Sequence, residues 1–123
     1  MANSNVPSTP RLSIRIDLAP GAMIGPGKAA LLERIGKTGS IAAAGRAMGM
    51  SYKRAWMLTE ALNAMFRAPL VASTRGGPGG GGAALTDLGR EVLAHYRAFE
   101  VEAAKAGSPQ IEAMRALLSD ISG

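Results

Sequence analysis

The sequence has 123 residues, a length typical of one modest domain, and 47% of its residues are hydrophobic while only 4% are aromatic. It contains no cysteine, which excludes disulfide frameworks and thiolate metal sites. Because no apolar run reaches membrane-spanning length and the N-terminus lacks the apolar core of a signal peptide, we expect a cytoplasmic protein without membrane contact.

The formal net charge is +5, and its distribution favours a polyanionic partner. Residues 26–97 carry ten Lys or Arg against four Asp or Glu, whereas residues 98–123 carry two against four. No acidic residue lies between Glu33 and Glu60. Such a basic block suits contact with nucleic-acid phosphates, and a merely solvated positive face is the alternative.

The first third of the chain predicts a tail, a strand and a helix. Residues 1–10 are rich in Asn, Ser, Thr and Pro, which predicts a disordered tail. Apolar and polar side chains alternate over residues 11–18, which predicts a half-buried strand with Leu18 on its buried face. Helical spacing of apolar residues then predicts a helix over residues 27–37.

Residues 39–65 predict a helix-turn-helix. Ser40 can cap a helix over residues 41–48, Gly49 can end it in a left-handed conformation, and Ser51 can cap a second helix. The second helix has one apolar stripe with spacing i, i+3, i+7 and i+10, formed by Ala55, Leu58, Leu62 and Met65.

Small residues at Ala44, Gly45 and Ala47 would allow the two helices to cross closely. The polar start of the second helix is then free to face a DNA major groove. We expect Trp56 to pack beneath the neighbouring hairpin, with contact to DNA bases as its alternative. A helical hairpin without any ligand is the alternative for the helix pair as a whole.

The glycine run over residues 76–82 lies between two predicted short strands, residues 70–74 and 83–85. A strand, a loop and a returning strand directly after a recognition helix have the layout of a winged helix. The run lacks the Gly-Lys-Ser/Thr sequence of a phosphate-binding P-loop. We interpret it as a wing whose backbone N–H groups can approach DNA, and a plain flexible linker is the alternative.

The C-terminal third predicts two helices. Thr86 can cap a long amphipathic helix over residues 87–106, and Ser108 can cap a last helix that begins at Pro109. The last helix is expected to bury Ile111, Met114, Leu117, Leu118 and Ile121. Because so small a chain has little core left for these apolar residues, we expect the long helix, extended by the last one, to form a dimer interface, with packing inside the monomer as the alternative.

With these elements in place, the chain resembles the N-terminal DNA-binding domain of ModE-type molybdate-responsive regulators, whose winged helix-turn-helix is similar to that of LysR-type regulators. The residues that carry the resemblance are Gly39-Ser40-Ile41, Gly49-Met50-Ser51-Tyr52-Lys53-Arg54-Ala55-Trp56, Leu62-Asn63, Leu70-Val71, Gly76-Gly77-Pro78-Gly79-Gly80-Gly81-Gly82-Ala83, Leu85-Thr86, Gly89 and Tyr96.

The resemblance implies a homodimeric regulator that reads a two-fold related operator in double-stranded DNA. ModE proteins bind molybdate through domains that follow this module, whereas this sequence stops at Gly123. We therefore expect no small-molecule effector to bind this chain directly, and the tie to molybdenum rests on analogy.

The sequence thus predicts a mainly α fold with a small β component: a winged helix-turn-helix with a long C-terminal dimerisation helix. The domain covers residues 11–106, including the long helix over residues 86–106, and a short C-terminal helix lies within residues 107–123. The residues expected to contact DNA are Ser51, Tyr52, Lys53, Arg54, Met57, Arg46, Lys37, Thr74, Arg75, Gly76, Gly77, Gly79 and Gly80.

The predicted function is sequence-specific transcriptional regulation at an inverted-repeat operator. A protein-interaction module, in which the long helix and the wing bind a partner protein and the basic face is incidental, is the alternative. We find no nucleophile–base pair, carboxylate pair or metal-ligand set, so we expect neither an enzyme nor a cofactor or metal site.

Overall fold

The computed structural model describes residues 10–74 and 82–119, and every structural statement below refers to these residues. The elements in chain order are β1 (Ile16–Ala19), β2 (Ala22–Ile24), α1 (Pro26–Thr38), α2 (Ile41–Ala47), α3 (Tyr52–Met65), β3 (Val71–Thr74), β4 (Gly82–Leu85), α4 (Asp87–Ala106) and α5 (Ser108–Ala116). The expected mainly α fold with a small β part is confirmed. The expected disordered tail lies outside the described residues, apart from Pro10.

The first hairpin is shorter and differently placed than the sequence predicted. Strand β1 pairs antiparallel with β2, with Ile16 opposite Ile24 and an irregularity between Asp17 and Ala19. Because β2 has only three residues, the chain before Ile16 has no strand partner, so the prediction of a strand over residues 11–18 was wrong for residues 11–15. Leu18 is 53% exposed beside the irregularity, so its expected place on the buried face was also wrong.

Helix α1 lies at the centre of the core. Its residues Leu31, Leu32 and Ile35 are completely buried, and α2, α3, α4 and β4 all contact this helix. The main cluster of buried residues is Leu31, Leu32, Ile35, Ala44, Ala55, Leu62, Leu70, Val71 and Ala83. A smaller cluster joins the first hairpin to α1 and α4 through Ile24, Ala29 and Tyr96.

Helix α4 has the predicted bounds and is fastened to the rest of the chain by polar contacts. Oγ1 of Thr86 accepts a hydrogen bond from the backbone N–H of Gly89 at 3.0 Å, which confirms the predicted cap. The Tyr96 hydroxyl donates to the carbonyl oxygen of Ile14 at 2.6 Å. Arg97 donates to a Glu33 carboxylate oxygen of α1 at 2.8 Å, and this hydrogen bond is the main reason why the pKa of Glu33 lies below its usual value.

Helix α5 departs from its prediction in two ways. It begins at Ser108, inside the helix, and no side chain caps its first turn, so the predicted Ser108 cap was wrong. None of its residues is buried: Met114 is 62% exposed and Leu117 just beyond it is 84% exposed. The expectation that the last helix buries Met114, Leu117 and Leu118 was therefore wrong within one copy of the chain, because α5 packs chiefly against α4. Ile111 is partly buried, and Ile121 lies outside the described residues.

The second hairpin is attached to α3 by the side chain of Asn63. Its Oδ1 accepts hydrogen bonds from the backbone N–H groups of Leu70 and Val71 at 2.9 and 3.0 Å, and its Nδ2 donates to the Val71 carbonyl oxygen at 3.2 Å. Strands β3 and β4 pair antiparallel with Thr74 opposite Gly82. Asn63 therefore sets the position at which the hairpin leaves the helical core.

We expect Asn63→Ala to lower the free energy of unfolding by about 2–3 kcal/mol, because it leaves buried backbone groups of Leu70 and Val71 without a partner. Asn63→Asp keeps the acceptor oxygen and should fall between the wild type and the alanine variant. Urea unfolding followed by circular dichroism measures both. Equal stability of the alanine variant and the wild type would contradict this role of Asn63.

Candidate nucleic-acid interface

Helices α2 and α3 form the pair for which the sequence predicted a helix-turn-helix. Oγ of Ser40 accepts a hydrogen bond from the backbone N–H of Ala43 at 3.0 Å, and Oγ of Ser51 accepts one from Arg54 at 3.1 Å. Gly49 between the helices has φ +71°, a left-handed conformation that turns the chain sharply. The two predicted caps and the turn glycine are confirmed.

The crossing of α2 and α3 depends on small side chains. A Cβ atom added at Gly45 would lie 2.9 Å from Cβ of Ala55, so a larger residue would force the helices apart. Ala44 is completely buried beside it. Ala47 is exposed because α2 ends there, so its expected place in the crossing was wrong.

The buried face of α3 fixes which of its residues point outward. Ala55 and Leu62 are fully buried, as the predicted stripe requires, and Leu58 is partly buried. Thr59 also lies on this face with its hydroxyl donating to the Ala55 carbonyl oxygen at 2.8 Å. The sequence did not predict the burial of Thr59, because a threonine is a polar residue. Its hydrogen bond to a carbonyl oxygen of its own helix, which allows the burial, is visible only in the structure.

Three large side chains of α3 are exposed outside its buried face. Tyr52 and Met57 are 57% and 55% exposed, and Trp56 is 45% exposed. The expectation that Trp56 packs beneath the hairpin was therefore wrong. The structure instead presents an indole, a phenol and a thioether on the surface of one helix, which is unusual for a face that only contacts water.

Four of the predicted site residues line one shallow groove of about 360 Å³ on this surface: Ser51, Lys53, Arg54 and Met57. We name it the α3 groove. Leu58 and Ala61 form the rest of its wall.

The other predicted residues are not part of the α3 groove. Tyr52 and Arg46 are exposed on the same helix pair, whereas Lys37 pairs with Glu33 at 3.3 Å. Oγ1 of Thr74 accepts a hydrogen bond from the backbone N–H of Gly82 at the end of the second hairpin. Arg75, Gly76, Gly77, Gly79 and Gly80 lie outside the described residues.

The ion pairs are distributed unevenly over the described part of the chain. Glu33, Glu100 and Glu102 pair with cations of α1 and α4, and Asp17 pairs with Arg15 in the first hairpin. Within residues 10–74 and 82–119, no carboxylate pairs with Arg46, Lys53 or Arg54. The carboxylate of Glu60 lies two turns further along α3, so uncompensated positive charge is concentrated at the start of that helix.

The described residues contain no group of three or more His, Asp or Glu side chains that could hold a metal ion. None of their helices combines the length and apolarity that a membrane crossing requires. The arrangement is instead suited to binding an extended anion through exposed cations, a capped helix start and adjacent apolar and aromatic surface.

The fold and the site define a class of protein: a helical chain with an exposed basic helix pair and a small antiparallel hairpin. The chain is 48% identical over 85 residues to the molybdenum-pterin-binding protein MopB of Rhodobacter capsulatus, a match that covers 69% of this chain and 32% of that protein. It is 40% identical over 92 residues to the molybdenum transport protein ModE of Azotobacter vinelandii, covering 75% of this chain and 33% of that protein.

A third relative is the DNA-binding transcriptional dual regulator ModE of Escherichia coli, which is 38% identical over 71 residues and matches 58% of this chain and 27% of its own. No protein-family model matches the chain. The chain thus matches the ModE family, and it spans about a third of the length of these relatives or less.

We expect Ser51→Ala to lower the free energy of unfolding by about 1 kcal/mol, because the start of α3 loses the acceptor for the backbone N–H of Arg54. Ser51→Asp retains an oxygen at that position and should unfold close to the wild type. Thermal and urea unfolding compare the three proteins. If Ser51→Ala were as stable as Ser51→Asp, the cap would not contribute to α3.

Proposed function

We propose that the chain is the DNA-binding module of a sequence-specific transcriptional regulator of the winged helix-turn-helix type, and that it binds an inverted-repeat operator as a homodimer. The observation that carries this proposal is the start of α3, where Lys53 and Arg54 have no carboxylate partner among the described residues and line one groove with Ser51 and Met57. A protein surface that leaves its own cations unpaired suits a polyanion such as the phosphate backbone of DNA.

In this proposal α3 is the recognition helix and enters the major groove. Arg54 can donate two hydrogen bonds to guanine O6 and N7, while Lys53 binds a backbone phosphate as a point charge. The β3–β4 hairpin is the wing, and Arg75 and the glycine run are proposed as contacts to the backbone or the minor groove. Dimerisation sets the spacing of the two half-sites at one helical turn, about 34–36 Å.

The link to molybdenum comes from the relatives alone. Their names describe molybdenum-pterin binding, molybdenum transport and transcriptional regulation, and none describes an enzyme. We infer that this chain shares the regulatory role and performs no catalysis. The genes that it regulates would then belong to molybdenum metabolism.

The homodimer is proposed from exposed apolar surface on the first hairpin and α4. Leu18, Phe66 and Phe99 line an open apolar groove of about 430 Å³, which also includes the edge of Tyr96. Phe99 is 48% exposed and Leu18 is 53% exposed. A second copy of the chain is the proposed occupant, because a regulator that reads a two-fold related operator requires a self-complementary contact.

We expect Phe99→Glu to convert the dimer into a monomer at micromolar concentration, because it places a charge in the apolar groove. Ala94→Glu adds the same charge on an exposed position of α4 that is not part of the groove, and it should leave the dimer intact. Sedimentation equilibrium gives the mass of each protein. A monomeric wild type, or a Phe99→Glu protein with the dimeric mass, would contradict the proposed interface.

The DNA-binding proposal is tested by selecting bound duplexes from a randomised pool and measuring affinity for the enriched sequence. The double change Lys53→Ala with Arg54→Ala should weaken binding by about 10- to 100-fold, since it removes a base-reading and a phosphate-binding side chain. Both side chains are exposed, and alanine favours a helix, so the fold should be unaffected.

The matched control is Lys105→Ala, which removes one exposed cation at the far end of α4. It should bind DNA as the wild type does. Unchanged affinity of the Lys53→Ala, Arg54→Ala protein would show that α3 is not the recognition helix. A wild type that stays monomeric and has no salt-dependent affinity for DNA would instead support the alternative, a module that binds a partner protein.

A further inference from the structure

A second basic groove lies between the first hairpin, the start of α1 and the start of α3. It has a volume of about 350 Å³, and its cations are Arg15, Lys28 and Arg54. The rest of its described lining is apolar or glycine and includes no carboxylate. We name it the α1 groove. None of its residues except Arg54 was singled out for DNA contact by the sequence.

The cations of the α1 groove differ in how freely they can serve a ligand. The Lys28 ammonium donates a hydrogen bond to the Met23 carbonyl oxygen at 2.9 Å, which holds it at the wall of the groove without neutralising it. Arg15 pairs with Asp17 at 3.1 Å, but both side chains are about two-thirds exposed, so this pair is weak and readily exchanged. Lys28 and Arg54 have no carboxylate partner among the described residues.

The α1 groove adjoins the α3 groove, because Arg54 and Leu58 line both of them. At the other end of α1, the carbonyl oxygen of Gly39 accepts a hydrogen bond from Ala83 of the second hairpin at 2.9 Å. The hairpin and the α1 groove are therefore placed at opposite ends of the same helix.

The distance between the two ends of α1 can be compared with the dimensions of DNA. Helix α1 has 13 residues, which corresponds to about 20 Å at 1.5 Å per residue. The major groove of B-DNA is about 12 Å wide. The two ends of α1 are therefore separated by more than the width of a major groove.

We propose that the α1 groove binds the phosphodiester backbone of DNA on the side of the recognition helix away from the second hairpin, with Lys28 as its main contact and Arg15 as a second. This inference rests on the proposed DNA-binding function and adds a contact that the helix pair and the wing do not supply. The groove is open, and a Cβ atom added at Gly27 in the first turn of α1 would meet no atom within 4 Å. The space over that turn is therefore accessible to a phosphate.

Substitutions of Gly27 test whether the α1 groove binds phosphate. Gly27→Glu places a carboxylate over the groove without a steric clash, and an acid in the first turn is favourable to the helix dipole. Gly27→Ala is the matched control, since it fills the same space without charge. Both proteins should unfold at or above the temperature of the wild type, so that any difference in binding reflects the charge.

The probe is a fluorescein-labelled duplex of about 30 base pairs of mixed sequence, which reports phosphate binding without knowledge of the operator. We expect Gly27→Glu to bind it about three- to tenfold more weakly than Gly27→Ala at low salt. The slope of the logarithm of the binding constant against that of the salt concentration should decrease in magnitude by about 0.9 for each phosphate that the protein no longer neutralises. Lys28→Gln should decrease the magnitude of this slope by about 0.9 for each phosphate lost as well, whereas Lys105→Gln should leave the slope unchanged.

The outcomes separate this inference from the proposed function. If Lys53→Ala with Arg54→Ala weakens binding while Gly27→Glu and Gly27→Ala bind alike with equal slopes, the DNA-binding function stands and the α1 groove does not bind the backbone. If the wild-type chain fails to bind any duplex, the proposed function and this inference are both overturned.

Discussion

Burial of helix α1 is the constraint on which the other elements depend. Leu31, Leu32 and Ile35 have no exposed surface, and complete burial of each such side chain contributes about 1.5–3 kcal/mol. Because α2, α3, α4 and β4 all pack on this one helix, their mutual positions are fixed through it rather than through a large sheet. A chain with few aromatic residues thus builds its core around a single aliphatic helix.

The ends of α1 connect this core to the exposed basic surface. At its C-terminal end, the Gly39 carbonyl oxygen bonds to the second hairpin, and Asn63 of α3 holds the other strand of that hairpin. At its N-terminal end, Lys28 lies in the same groove as Arg54 of α3. The hairpin, α3 and the start of α1 are therefore parts of one packed unit, which is what a surface needs if it is to bind a stiff duplex without first being ordered.

The sequence predicted those features that depend on neighbouring residues. The caps at Ser40, Ser51 and Thr86 are short-range hydrogen bonds, and they were correctly located. Strand β2 was missed because three residues are too few to show the alternation of apolar and polar side chains that marks a strand. The role of Asn63 was missed because its hydrogen-bond partners are seven and eight residues away in the sequence. The apolar pattern of α5 showed that one face of this helix requires burial, but it did not show which surface would cover that face. The prediction that these side chains are buried therefore failed for one copy of the chain.

Residues that stabilise the chain differ from those available to a ligand in whether their charges are paired. Glu33, Glu100 and Glu102 pair with cations on α1 and α4, where the carboxylates hold helices together or support a helix surface. Among the described residues, no such carboxylate pairs with Lys53 or Arg54 at the start of α3, so these cations add little to stability and repel one another. A folded protein retains such a surface at a small cost in stability, and the repulsion is relieved when an external polyanion binds. Substitutions of Lys53 or Arg54 should therefore change affinity for a polyanion far more than they change folding, while the reverse holds for residues such as Asn63.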